Sequence, residues 1–168
     1  GGSASGVGGN GALNIADSSL VDVTGTTKLW SSGTINLNGG SLTTGSFDNT
    51  AGGTFNFNDG TLTVNGSSGT FSPGGSSFTV DGNTSVANPT LVLTSGSTGT
   101  FSGEFTVGAD DQGSMNISGG SQLLNDIGYI GKNSGSTGVA TVSGSGSQWN
   151  NYWGSLSVGH YGTGTLNV

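Results

Sequence analysis

Apolar and polar positions alternate with period two in short runs along this chain, and most of those runs open on a glycine. The clearest are Gly11-Ala12-Leu13-Asn14-Ile15, Gly33-Thr34-Ile35-Asn36-Leu37 and Gly53-Thr54-Phe55-Asn56-Phe57. Later come Gly113-Ser114-Met115-Asn116-Ile117, Gly138-Val139-Ala140-Thr141-Val142 and Gly164-Thr165-Leu166-Asn167-Val168. Side chains of a strand point alternately to opposite faces, so each run reads as a strand with one face buried. The turn pairs Gly39-Gly40, Asp59-Gly60, Asp81-Gly82 and Gly119-Gly120 supply residues that tolerate positive φ. No stretch carries a helical period, so an all-β fold is expected.

The runs recur at near-constant spacing. The first apolar positions step from 13 to 35 to 55, then from 115 to 140 to 166. Between Phe57 and Met115 the pattern is looser, with strands expected at 78–80, 91–93 and 101–107. One such unit cannot bury its apolar face alone, whereas stacked units bury a continuous column. The pattern predicts a right-handed parallel β-helix of about seven coils. At about 4.8 Å per stacked strand it forms a rod of roughly 30–35 Å. In this rod Leu13, Ile35, Phe55, Met115 and Leu166 point inward. Residues 1–168 read as a single repeat segment, best defined over 101–168. An apolar-glycine pair precedes each late repeat: Val107-Gly108, Ile130-Gly131 and Val158-Gly159.

The stretch Val142-Ser143-Gly144-Ser145-Gly146-Ser147-Gln148-Trp149, then Leu156-Ser157-Val158-Gly159, then Gly162-Thr163-Gly164-Thr165-Leu166-Asn167-Val168, resembles the repeats of autotransporter passengers and of long bacterial surface proteins. The resemblance is good over 101–168 and looser before it. It implies a right-handed β-helix, an extracellular or cell-surface location, and a scaffolding or adhesive role. It concerns core and turn positions, so it specifies a fold more than an activity.

Charge narrows the partners. Lys28 and Lys132 account for both Lys and Arg positions, nine residues are acidic, and the net charge is −7. Such a chain cannot neutralise a nucleic-acid backbone, and an anionic membrane surface repels it. Cysteine is absent, which excludes disulfides. No apolar run reaches the roughly 18 residues that span a bilayer as a helix, so no membrane insertion of this segment is expected.

Catalysis finds little material. Glycoside hydrolysis uses two carboxylates across a scissile bond, and the adjacent Asp110 and Asp111 would diverge in a strand. No enzyme activity and no cofactor are expected, apart from a weak exposed Ca²⁺ site at Asp110 and Asp111. Asp59 and Asp81 occupy the turn slot that Gly39 and Gly119 fill elsewhere. The threonines look scattered rather than arrayed. Trp149 aligns with Leu123 and Trp153 with Ile127, so both tryptophans are expected in the core.

The segments 109–112, 132–137 and 160–163 vary from repeat to repeat and should lie along one edge, where a solenoid carries its binding face. Tyr152, His160, Tyr161, Lys132 and Asp110 are the candidate partner surface. Two functions follow as expectations. One is a non-catalytic extracellular rod, stalk or filament that continues into further repeats or associates end to end. The alternative is an adhesin that binds a glycan or host surface through its edge loops. Read head to tail, Val168 followed by Gly1-Gly2-Ser3 resembles an internal turn, and neither end shows a capping element.

Overall fold

The structure, a computed structural model, describes residues 9–168; the head-to-tail reading of Gly1-Gly2-Ser3 lies outside them. Within this range the fold is all-β, with parallel strands stacked as a solenoid of about seven turns. Three long strands come first: β1 (Gly11–Lys28), β2 (Gly33–Asp48) and β3 (Thr54–Val64). Short strands follow: β4 (Thr70–Ser72), β5 (Phe78–Val80), β6 (Thr90–Leu93), β7 (Thr98–Thr100), β8 (Glu104–Val107) and β9 (Gln112–Ile117). The last are β10 (Gln122–Asn125), β11 (Ile127–Ile130), β12 (Thr137–Val142), β13 (Gln148–Asn151), β14 (Leu156–Val158) and β15 (Thr163–Asn167).

Three faces wrap one core. The first stacks residues 41–44 of β2, 61–64 of β3, then β6, β9, β12 and β15. The second stacks residues 47–48 of β2, then β4, β7, β10 and β13. The third joins β5, β8, β11 and β14. Before β5, its place is taken by the opening residues of β1, β2 and β3, which belong to the larger sheet. The rings of Phe55 and Phe78, stacked with centroids 6.5 Å apart, carry the column across that break.

Inward positions fill the column as the alternation requires. Ile35 and Met115 are buried, and Leu13, Phe55 and Leu166 pack against the core from partly buried positions. Leu13 pairs in register with Ile35, Ile35 with Phe55, Met115 with Ala140, and Ala140 with Leu166. Phe47, Phe71, Phe101, Phe105 and Trp149 form a chain of ring contacts with centroids 5.3–6.2 Å apart. Each such pair adds about 0.5–1.5 kcal/mol beyond the area it buries.

The structure corrects the alignment of the repeats. The early copies at Gly11, Gly33 and Gly53 lie on the third face, whereas the copies at Gly113, Gly138 and Gly164 lie on the first. Ser114 pairs with Thr90, Thr90 with Thr61, and Thr61 with Ser41, which follows the early glycine-led run rather than belonging to it. Gly39-Gly40 and Gly119-Gly120 therefore turn different corners. Asp81 shares the corner of Gly39 but not that of Gly119, and Asp59 pairs one place early, opposite Asn38, through a bulge. The strand expected over 101–107 begins only at Glu104, because Phe101 turns inward at a corner and is buried.

Outward positions form ladders. Asn36 Nδ2 donates to Asn14 Oδ1 at 2.7 Å, and Asn56 Nδ2 to Asn36 Oδ1 at 2.7 Å. Asn58 Nδ2 donates to Asn38 Oδ1 at 2.8 Å. On the first face Ser41, Thr61, Thr90 and Ser114 stand in one row, so the hydroxyls are more ordered there than the sequence suggests.

Candidate functional site: a charged aromatic corner

The edge loops stack as a column. Gly131 N–H donates to Val107 O at 2.9 Å, Lys132 N–H to Gly108 O at 2.9 Å, and Asn133 N–H to Ala109 O at 3.0 Å. One coil on, His160 N–H donates to Gly131 O and Tyr161 N–H to Lys132 O, both at 3.0 Å. Gly108, Gly131 and Gly159 hold φ of 70°, 70° and 68°, and this left-handed turn lets the loop backbone lie against the next coil. Below them, the Asp81 carboxylate accepts the N–H groups of Ala109, Asp110 and Asp111 at 2.9, 3.1 and 3.0 Å. His160 thus occupies the same corner as Ala109 and Lys132.

On this backbone the side chains of three coils meet. Lys132 Nζ lies 2.6 Å from Glu104 Oε1 and 4.8 Å from the centre of the Tyr129 ring. A cation at that distance over a ring face is attracted by its quadrupole. The buried Thr106 hydroxyl donates to the same Glu104 oxygen at 2.7 Å. Partial burial opposes ionisation of Glu104, but Lys132 and Thr106 outweigh it and hold the carboxyl below its ordinary value. The His160 ring meets Tyr129 edge-on at 5.3 Å and Tyr161 at 4.1 Å. The result is a train of three rings, Tyr129, His160 and Tyr161, anchored at one end by an ion pair.

Of the candidate surface residues, the structure brings Lys132, His160 and Tyr161 together and adds Tyr129 and Glu104. Sequence reasoning passed over those two, although both occupy outward positions of alternating strands. Asp110 sits beside the cluster, its Oδ1 accepting from Asn133 Nδ2 at 2.8 Å. Asp111 is tied through its backbone, with Thr137 N–H donating to its carbonyl at 2.9 Å. Among the described residues no three His, Asp or Glu side chains converge as a cation site would require.

Tyr152 stands at the opposite corner of the third face, beside Trp153. Trp149 packs against the core opposite Leu123, and its Nε1 donates to Asn125 Oδ1 at 2.7 Å. Trp153 does not enter the core: it is 87% exposed. Asn125 pairs with Asn151 and Gly128 with Leu156, so the second corner holds two more residues than the first. Tyr152 stays in the ladder, its N–H donating to Asn125 O at 2.9 Å. The insertion carries Trp153 away from the Ile127 position, which pairs with the outward Glu104 and is itself 38% exposed.

The second lysine repeats the arrangement at the other end of the rod. Lys28 Nζ lies 2.6 Å from Asp48 Oδ2 on the next coil and 4.9 Å from the centre of the Trp30 ring. Hydrogen bonding from Lys28, and from the Thr50 hydroxyl and N–H, lowers the Asp48 pKa to about 2.

No protein-family model, no curated protein and no solved structure matches this chain.

Proposed function

We propose that this segment is a structural element of an extracellular bacterial protein, a length of rod that serves as stalk or filament and performs no catalysis. The observation that supports this most directly is the buried column that runs from Ile15 to Val142 inside parallel ladders. Each coil bonds its neighbours along the rod axis, so length is gained by adding coils without redesigning the core. The resemblance to autotransporter passengers and bacterial surface repeats supports the location.

The edges of β13, β14 and β15 flank an apolar hollow of about 300 Å³ lined in part by Val142, Trp149, Leu156 and Leu166. Among the described residues each of these strands is paired on one side alone. Such edges beside apolar side chains are a seat for another coil, whether from the same polypeptide or from a second copy. Electron microscopy of the protein that carries this segment tests the reading. It should show particles of constant width whose long axis grows by about 4.8 Å per coil. Antibody against the segment should label intact cells. Round particles, or labelling only after lysis, would overturn the proposal.

A further inference from the structure

Beyond the role of rod, we infer that the third face at β11 and β14 is a binding site for a neutral hexose polysaccharide. The site is built on the exposed rings of Tyr161 and Trp153, with His160 packed against Tyr161 and Tyr129 against His160.

Aromatic exposure is concentrated there. Tyr152, Trp153 and Tyr161 are the aromatic side chains among the large exposed apolar ones, and all three lie within ten residues that bracket β14. The phenylalanines behave oppositely: every one either belongs to the core or packs against it. Among the described residues Tyr152 and Trp153 pack against no other ring, so ring packing does not account for their presence. Pyranose rings present C–H faces that stack on aromatic rings and hydroxyl edges that bond polar groups, and this face offers both. Ser157 pairs in register with Tyr129 and places a hydroxyl position beside the rings.

The rings are also held in place. His160 packs edge-on between the two tyrosines, and Lys132 pins Tyr129 while itself fixed by Glu104. A preorganised aromatic surface loses little rotamer entropy when a ligand binds. Charge selects the ligand class. Glu104 already compensates Lys132, Asp48 compensates Lys28, and the chain as a whole carries −7, so among the described residues neither lysine is free for an acidic polymer. A neutral sugar fits and a uronate does not.

Trp153 and His160 are seven residues apart across β14, a distance of at most about 23 Å along extended chain. The ligand therefore lies across the coil, over several sugar units, rather than in a closed pocket. Positions that point outward from a solenoid remain outward whatever stacks on the next coil, so further repeats would leave this face open.

Affinity retention of the 168-residue chain on cellulose, mannan and β-1,3-glucan particles tests the inference, with alginate as the acidic control. Retention is expected on at least one neutral polymer and not on alginate. Tyr161→Ala and Trp153→Ala should each weaken it by about tenfold or more, the scale of an aromatic anchor. Tyr152→Ala should have a smaller effect, and none of these outward substitutions should change the circular-dichroism melt. Retention on alginate alone, on no neutral polymer, or at full strength in the Tyr161→Ala and Trp153→Ala proteins would overturn the inference. The rod reading is judged apart, by microscopy of the same proteins.

Discussion

The first three coils and the last three build the same column by opposite means. In β1, β2 and β3 the chain rounds its corners while remaining in a hydrogen-bonded ladder, through register shifts such as those between Asp17 and Leu20 or Val23 and Thr26. In the later coils the strands are three to six residues long, and the corners are loops set by glycines such as Gly131. Bulged corners drop only one or two residues from the ladder, such as Ser18 and Ser19, and leave little room for variation. Looped corners release the chain from the ladder, and there the lengths differ and the exposed rings appear. Regularity of the core thus coexists with freedom at the edge only where glycine breaks the strand.

The core should not distinguish the two regions. Phe47 and Phe105 are both fully buried, and replacement of either by Ala should cost about 3–5 kcal/mol, read from urea unfolding. A marked difference between them would mean that the halves are separate cores rather than one.

Corners should be sensitive in both regions wherever a neighbouring coil lies against them. A Cβ at Gly131 would collide with the carbonyl of Thr163, and its φ of 70° disfavours any side chain. Gly131→Ala should lose about 1–3 kcal/mol. At Gly25, in β1, a Cβ meets nothing within 4 Å, and Gly25→Ala should be neutral or stabilise by up to about 1 kcal/mol. At Gly45, the same corner one coil on, a Cβ would meet the Thr24 carbonyl, so Gly45→Ala should destabilise as Gly131→Ala does. A neutral Gly45→Ala would show that ladder corners tolerate what looped ones do not.

A smaller effect is expected in the early ladder. Asn36 both donates to Asn14 and accepts from Asn56, so Asn36→Ala breaks two bonds at an outward position. The loss should be about 0.5–1.5 kcal/mol, because water re-pairs what is left. Hydrogen exchange of the β1 and β2 amides should rise while those of β12 stay protected.

The smallest concerns acid. The Asp48 carboxyl is depressed in the folded protein from its ordinary 3.8 to about 2, so its contribution is complete above the unfolded value. It is lost as pH falls from about 3.8 through about 2. The melting-temperature gap between the native protein and Asp48→Asn should close across that window. A gap that persists below it would show that Asp48 stabilises this coil through contacts that do not need its charge, such as its hydrogen bonds with Thr50.

Much of the fold was legible because stacking leaves its period in the sequence: Leu13, Ile35 and Phe55 fall into register where their spacing places them. What was not legible is which face a run occupies. Gly33-Thr34-Ile35-Asn36-Leu37 and Gly113-Ser114-Met115-Asn116-Ile117 look alike because every face asks for the same alternation and the same opening turn. Trp153 was misplaced for a related reason. An alignment that counts residues sees neither that the corner has absorbed two extra ones nor that Ile127 stands in register with the outward Glu104. Lys132, His160 and Tyr161 were found through the repetition of their loops, whereas Glu104 and Tyr129 reach the site through the coil-to-coil stacking that sequence spacing does not label.

The direction of the ladders carries a mechanical consequence. Bonds between coils run along the rod, so tension applied to its two ends loads them one coil at a time, as in peeling, instead of all together. Each detachment frees the residues between paired positions, 20 from Thr34 to Thr54 and 29 from Thr61 to Thr90. At about 3.3–3.6 Å per residue, one event lengthens the tether by roughly 65–105 Å. A stalk built this way would yield in steps under drag and rewind when slack, behaving as a shock absorber rather than a rigid strut.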